Sequence, residues 1–275
     1  MSCSPLSINE WQMSEELARQ ADDNLAAHFT WVQRHTSGMR AWEDDDLVVV
    51  ESGLDCDTFN SVCRARLDRS RATDRIREVV GRFRSVRRPF SWWTSPADRP
   101  VDLGTHLLAA GLEPSESEVA MAVDLARVEA PEAPADLTIA RVATTAALAE
   151  FARISAANWN PPDRFVVEFY RLAAPALLRP DSPLRFYLGC YRGVAVATAE
   201  LAIGGGVVGL YNISTVADHR RRGIGTALTA LPLVQARDEG YRTAILQSAP
   251  DGLGIYSRLG FRRFGEYLEY KPRVS

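Results

Sequence analysis

The chain has 275 residues, with 32 Lys and Arg against 35 Asp and Glu and a formal charge of −3. At 46% hydrophobic and 24% charged residues it has the composition of a folded globular protein, long enough for one to two domains, and its charge gives no support to nonspecific nucleic-acid binding. No apolar run approaches the ~20 residues of a membrane helix, residues 1–5 do not start a secretory signal, and the scattered Cys3, Cys56, Cys63 and Cys190 form no C-x-x-C pair, so the expectations are a reduced, cytoplasmic setting, no membrane and no metal.

Hydrophobic periodicity divides the chain into two halves. In the first, residues 47–50 read as a strand. Residues 73–83 read as a helix with Thr73 as N-cap and Ile76, Val79, Val80 and Phe83 on one face. A strand at 90–94, a short helix at 103–110 ended by Gly111, and a strand at 119–125 follow. Residues 126–136 are rich in Ala, Pro and Glu and read as an extended linker. The second half alternates strands and helices: a strand at 137–142, a helix at 144–157, a break at 158–162 and a helix at 165–178. Strands at 185–191, 194–203 and 207–216 come next, the last two joined through Gly204-Gly205-Gly206. A helix at 225–239 ends at Gly240, and Pro232 inside it predicts a kink or a loosened turn. A strand at 243–248, a short helix at 252–259 ended by Gly260, and a strand at 266–270 complete the chain. Strand, short helix, glycine, strand closes both halves, which reads as a weak internal repeat.

One stretch carries chemistry. A β-rich run enters the turn Arg220-Arg221-Arg222-Gly223-Ile224-Gly225-Thr226, and the turn opens a helix. Small residues let several backbone N–H groups converge, and the helix terminus adds partial positive charge, so the turn suits a pyrophosphate. A dinucleotide fingerprint would need a third glycine at 228, which is Leu228. A solvated arginine cluster at a glycine turn is the plainer reading.

The loop is followed one strand later by Tyr256-Ser-Arg-Leu-Gly260-Phe261. Arg-x-x-Gly-x-Gly, strand, then Y-x-x-L-G-F resembles the GNAT superfamily of acyl-CoA-dependent N-acyltransferases over about residues 137–272. The resemblance implies an α/β (α+β) fold with a mixed, splayed central sheet. It implies that the pantetheine arm of acetyl-CoA or another acyl-CoA bonds to the strand backbone at Ile213, Ser214 and Thr215, and that residues 220–226 hold the pyrophosphate. It places Tyr256 as general acid beside the thioester and Trp159 at the border of the acceptor site. Where many members carry an asparagine seven residues before the tyrosine, this chain has Ala249 and then Pro250.

The first half resembles a degenerate copy of the same fold, with no glycine in 68–74. The expected organisation is therefore a degenerate GNAT-like domain at 1–125, a linker at 126–136 and a catalytic domain at 137–275. The first domain either shapes and gates the acceptor site or binds a partner. Ten arginines between 64 and 88 and seven acids between 43 and 57 either face each other or offer an Arg surface to an acidic carrier protein or RNA.

The expected activity is acyl transfer from CoA to the amine of a small molecule, with a base to take the amine proton. Glu200, in an otherwise apolar run, either faces solvent or projects toward the opening in the sheet as that base. A donor bound to a carrier protein or tRNA, or a non-catalytic acyl-CoA sensor, are the competing readings.

Overall fold

Residues 15–129 and 131–273 are described by a computed structural model of the chain; Cys3 and the opening residues 1–5 lie outside the described residues. The first half contains α1 (Glu15–His35), β1 (Arg40–Glu43), β2 (Val48–Glu51), β3 (Ser61–Cys63), α2 (Ala72–Ser85), β4 (Ser91–Thr94), α3 (Leu103–Ala109) and β5 (Leu112–Asp124). The second contains β6 (Leu137–Arg141), α4 (Thr145–Ala156), α5 (Arg164–Leu177), β7 (Leu184–Tyr191), β8 (Val194–Gly204), β9 (Val207–Thr215), α6 (Ile224–Asp238), β10 (Thr243–Ser248), α7 (Leu253–Arg258) and β11 (Arg262–Pro272).

Sequence patterning located the elements of the second half within a residue or two, β11 excepted, but missed α1, β1 and β3. Helix α1 had usable signals: Glu15 and Glu16 at its start, Arg34 and His35 at its end, and Leu17, Ala21, Leu25 and Val32 on its buried side. Thr73 is not an N-cap. Helix α2 begins after Arg71 without a side-chain cap, and Thr73 Oγ1 instead pairs with His106 Nδ1 at 2.7 Å. Helix α6 stays helical through Pro232, which simply lacks an N–H for the carbonyl four residues earlier. Strands β5 and β11 are each much longer than the periodicity predicts.

The eleven strands of the described residues form one sheet, in the order β1-β2-β3-β4-β11-β5-β10-β9-β8-β7-β6. The boundary at 126–136 therefore divides the chain but not the sheet. Strand β5 from the first half pairs antiparallel with β10 of the second. Strand β11 from the second half pairs antiparallel with β4 of the first. The two exchanged strands pair with each other at the centre. On either side the parallel pairs β3/β4 and β9/β10 occupy equivalent places, each followed by a helix. The arrangement is a pseudo-tandem with its closing strands swapped.

Strand alternation sends side chains to two different layers. On one face, Met121, Val123, Leu201 and Leu210 pack with Ile224, Leu228 and Leu233 of α6, while Val49, Val62 and Trp92 pack with α2 and α3. On the other face α1 covers Val48, Val50, Ala120, Ala122 and Ile245, and α4 and α5 cover Phe186, Leu188 and Ala202. The acidic and Arg-rich runs of the first half do face each other. Arg64 bonds Glu43 at 2.7 Å, Arg75 bonds Asp44 at 2.6 Å, and Arg82 bonds Glu51 at 3.2 Å.

Helix α1 is tied to the β8–β9 hairpin through one buried side chain. Asn24 Nδ2 donates to the carbonyls of Ala202, Gly204 and Val207 at 3.1, 3.1 and 3.2 Å. Its Oδ1 accepts from the Tyr211 hydroxyl at 2.8 Å. A Cβ at Gly209 would collide with Asn24 Oδ1, so this close approach requires glycine there. Unmade buried hydrogen bonds cost about 1–3 kcal/mol each. Asn24→Ala is expected to lower stability by about 2–4 kcal/mol, read as a lower urea midpoint with an unchanged slope.

Candidate active site

Strands β9 and β10 run together only briefly. Their pairing covers Val208–Leu210 against Ala244–Leu246, and both strands then continue without each other. From Tyr211 onward, the side of β9 facing β10 is free of ladder partners, as a splayed sheet requires. Ile213 and Thr215 are half-buried there. Buried Ser214 gives its hydroxyl to Asn158 Oδ1 at 2.8 Å, which pins the α4–α5 loop to β9.

A β-bulge marks the departure. The β8/β9 register shifts between Thr198 and Glu200, and Asn212 adopts φ 49°, a conformation asparagine tolerates better than most residues. Thr198 Oγ1 donates to the Asn212 carbonyl at 2.9 Å. The bulge aims Asn212 Nδ2 at Glu200 Oε2, 2.7 Å away, and at the Tyr170 hydroxyl, 3.2 Å away.

The turn before α6 has the shape its sequence implies. Gly223 is left-handed at φ 78° and Arg221 at φ 60°. No side chain caps α6, so the N–H groups of its first turn, Ile224, Gly225 and Thr226 among them, have no intrahelical acceptor. Arg220 Nε donates to the Thr215 carbonyl at 2.9 Å and braces the turn against β9. Arg220, Arg221 and Arg222 are exposed. A tethered pyrophosphate fits this arrangement: converging N–H donors, flanking guanidinium groups, and an unpaired strand edge leading away from them.

On the α1 side of the sheet lies a cavity of about 330 Å³, and both halves of the chain line it. Tyr211 and Asn212 on β9, and Gln247 on β10, bring the cavity to the point where the strands part. Aromatic side chains form much of its wall: Phe59 stacks on Phe169 across the two halves at 3.8 Å, and His28 stacks on Tyr211 at 4.0 Å. The acids lining it are Asp57, Glu116, Glu118, Glu200 and Glu269. Lys271, the single lysine of the chain, sits among them, 3.0 Å from Asp57 and 3.2 Å from Glu269. Among the described residues no group of His, Cys, Asp and Glu is arranged to hold a metal ion.

Glu200 is 2% exposed and lines this cavity; of the two orientations open to it, the inward one is adopted. Besides Asn212 it meets His28 Nε2 at 3.1 Å. Trp159 also lines the cavity and is 47% exposed, so it is a rim residue and not a core anchor. Tyr256 lies elsewhere. It sits on α7, on the α6 side of the sheet, packed against Phe261 at 5.9 Å. Burial, reinforced by the charges of Asp251 and Glu118, pushes its phenol up to about 12. His28, Asn212 and Glu118 were not found from sequence. His28 sits on the helix that patterning missed, and Glu118 lies in a Ser/Glu stretch, between Gly111 and the strand expected at 119–125, that no periodicity assigns.

Residues 147–261, in the C-terminal half, match the acetyltransferase (GNAT) family. The chain is 33% identical over 63 residues to a mouse (Mus musculus) protein described as probable N-acetyltransferase family 8 member 5. That match covers 22% of this chain and 28% of the length of the relative. A GCN5-related N-acetyltransferase from Kribbella flavida shares the fold with a TM-score of 0.72 at 22% identity, over 92% of this chain and 96% of that one. A tandem GNAT protein from the clavulanic acid biosynthesis pathway aligns with a TM-score of 0.58 at 16% identity, over 83% and 79% of the two chains.

Two substitutions separate the two parts of the site. A Cβ at Gly225 would meet Thr215 Oγ1 at an ordinary 3.5 Å, so the fold accommodates a side chain that a bound phosphate would not. Gly225→Val is expected to weaken CoA binding at least tenfold by isothermal titration while leaving the melting temperature within a few degrees. Trp159→Ala is expected to raise the KM of the acceptor several-fold and leave the KM of acyl-CoA unchanged.

Proposed function

We propose that the protein transfers an acyl group, most simply acetyl, from acyl-CoA to the amine of a small cationic molecule with an apolar or aromatic body. The observation that carries this reading is the position of the cavity, which opens where β9 and β10 part. A thioester extending along the free edge of β9 from a pyrophosphate at the α6 turn would meet an amine held in that cavity. Bound there, acyl-CoA supplies the activated acyl carbon.

The chain's own groups divide the remaining work. The carboxylates give the cavity a negative potential that favours an ammonium ion, and aromatic faces hold a cation well when water is excluded. Glu200, fixed by Asn212 and His28, is an anchor for that ammonium or a base for it. The three exposed arginines at the turn suit the nucleotide end of free CoA, which favours CoA over a carrier-bound donor. The first half contributes His28, Phe59, Trp93 and Glu118 to the cavity wall, which supports a role in shaping the acceptor site.

Tyr256 acts as a hydrogen-bond donor. Full proton transfer from a phenol near 12 to a thiolate of pKa ~8.5 would run uphill by roughly 5 kcal/mol. A neutral phenol can still stabilise charge developing on sulfur. Tyr256→Phe is therefore expected to lower kcat by about 10–100-fold with CoA affinity unchanged. Equal kcat under conditions where chemistry limits the rate would remove Tyr256 from the mechanism.

Mass spectrometry of the purified protein for bound CoA tests the first half of the reading, and turnover tests the second. With acetyl-CoA, phenethylamine and tryptamine are expected to be acetylated, and aspartate and glutamate are not. CoA binding without turnover of any amine would support a sensor. Turnover with an acylated carrier protein in place of acetyl-CoA would reassign the donor.

A further inference from the structure

We propose that Glu118, on the strand that the first half inserts into the second half's sheet, is the group that accepts the proton from the acceptor amine. The proposal rests on the acyltransferase reading above and assigns a residue within it.

Three observations place Glu118 in that role. It lines the cavity, on β5 directly opposite Tyr267 of β11. It lies beside the end of β10, where Ser248 pairs with the adjacent Val119, just past the point where β10 leaves β9. Its charge is felt by Tyr211 on the cavity side and by Tyr256 on the other side of the sheet.

The second observation is what Glu118 lacks. Among the described residues its carboxylate makes no ion pair and no side-chain hydrogen bond, whereas Glu269 meets Lys271 at 3.2 Å and Glu200 meets both Asn212 and His28. Glu200 is already held by partners on both of its oxygens. Glu118 is held by none among the described residues.

The third is its surroundings. The charges acting on Glu118 are Glu116 on its own strand and Glu269 on β11, with Tyr267 directly opposite on β11. The other titratable groups lining the cavity are His28 on α1, Asp57, Tyr170 on α5, Glu200 on β8, Tyr211 on β9 and Lys271 on β11. The cation among them, Lys271, is paired with Asp57 and Glu269. Burial first, then the charges of Glu116 and Glu269, push Glu118 up to about 7, where a carboxylate is ionised for part of its population and basic enough to help an amine.

The protons balance as follows. An ammonium enters the cavity and gives one proton to Glu118, which passes it to solvent. The nitrogen lone pair forms the C–N bond, the C–S bond breaks, and the second nitrogen proton ends on the departing sulfur.

The test uses the full chain, acetyl-CoA and phenethylamine. Below about 7 Glu118 is protonated and cannot accept a proton, so wild-type kcat/KM should fall as pH drops through that value. Glu118→Gln is expected to lower kcat about 10²-fold or more, to lose that acidic limb, and to leave acetyl-CoA affinity within twofold. Because the ionised carboxylate is destabilised by burial, the Gln variant should melt no lower than wild type at pH 8. Glu116→Gln removes one neighbouring negative charge and should move the acidic limb to lower pH. An acidic limb that survives Glu118→Gln, or one that Glu116→Gln does not move, would overturn the assignment. So would a limb that disappears in Glu200→Gln but not in Glu118→Gln. Failure of wild type to acetylate phenethylamine despite binding CoA would instead overturn the acyltransferase reading for this class of amine. NMR of carboxyl-labelled glutamate remains informative in that case: a carboxyl titrating near neutrality that Glu118→Gln deletes supports the environment, and its absence refutes it.

Discussion

The pairing of β5 with β11 is the constraint on which the rest of the molecule depends. Each strand comes from the opposite half of the chain, and together they form the middle of the sheet. Exposed strand edges invite unwanted pairing, and the exchange covers the inner edge of both halves at once. It also mixes the two cores. Tyr270 of β11 packs among the residues of α2 and α3, while Met121 and Val123 of β5 pack with α6. Two register shifts, one with its extra residue on β11 between Arg263 and Gly265 and one with its extra residue on β5 between Pro114 and Ser117, interrupt this long central ladder. Neither half has a complete sheet without the other's closing strand.

That exchange is also what builds the cavity. A splayed pair such as β9 and β10 exposes backbone, but it does not by itself provide walls. The walls come from α1, from the segment around Asp57 and Phe59, and from β5 and β11. Helix α1 is drawn close by Asn24 and by the absence of a side chain at Gly209. The half of the protein without a glycine-rich turn thus contributes to the cavity wall, while the other half carries the uncapped turn before α6.

Much of the second half was legible because its signals are local. Alternation along β8, the glycine turn after it, the Thr144 cap of α4 and the left-handed Gly223 all act within a few residues. The turn and Tyr256 could be read for the same reason. The cavity could not, because its residues are brought together by long-range pairing. Polar Glu113–Glu118 is carried into a strand by β11 alone, beyond the end of the β10 ladder, and no periodicity marks it. The inward position of Glu200 depends on a bulge centred on Asn212, which leaves no sequence signature beyond an asparagine. Helix α1 carries charge signals at both ends, but its polar residues at the buried positions 22, 24 and 33 blur its apolar stripe.

The exchanged strands carry a topological consequence. Residues 131–136 are largely exposed and carry none of the pairing that joins the halves. A protease cutting there would sever the backbone without freeing either piece, since each fragment would still hold the other's closing strand in its interior. The chain would persist as a two-piece complex locked by hydrogen bonds and packing, and its halves, supplied as separate polypeptides, would have to fold together and not in succession. A fission of the gene at this point would create an obligate heterodimer in a single step, with the shared cavity at its interface.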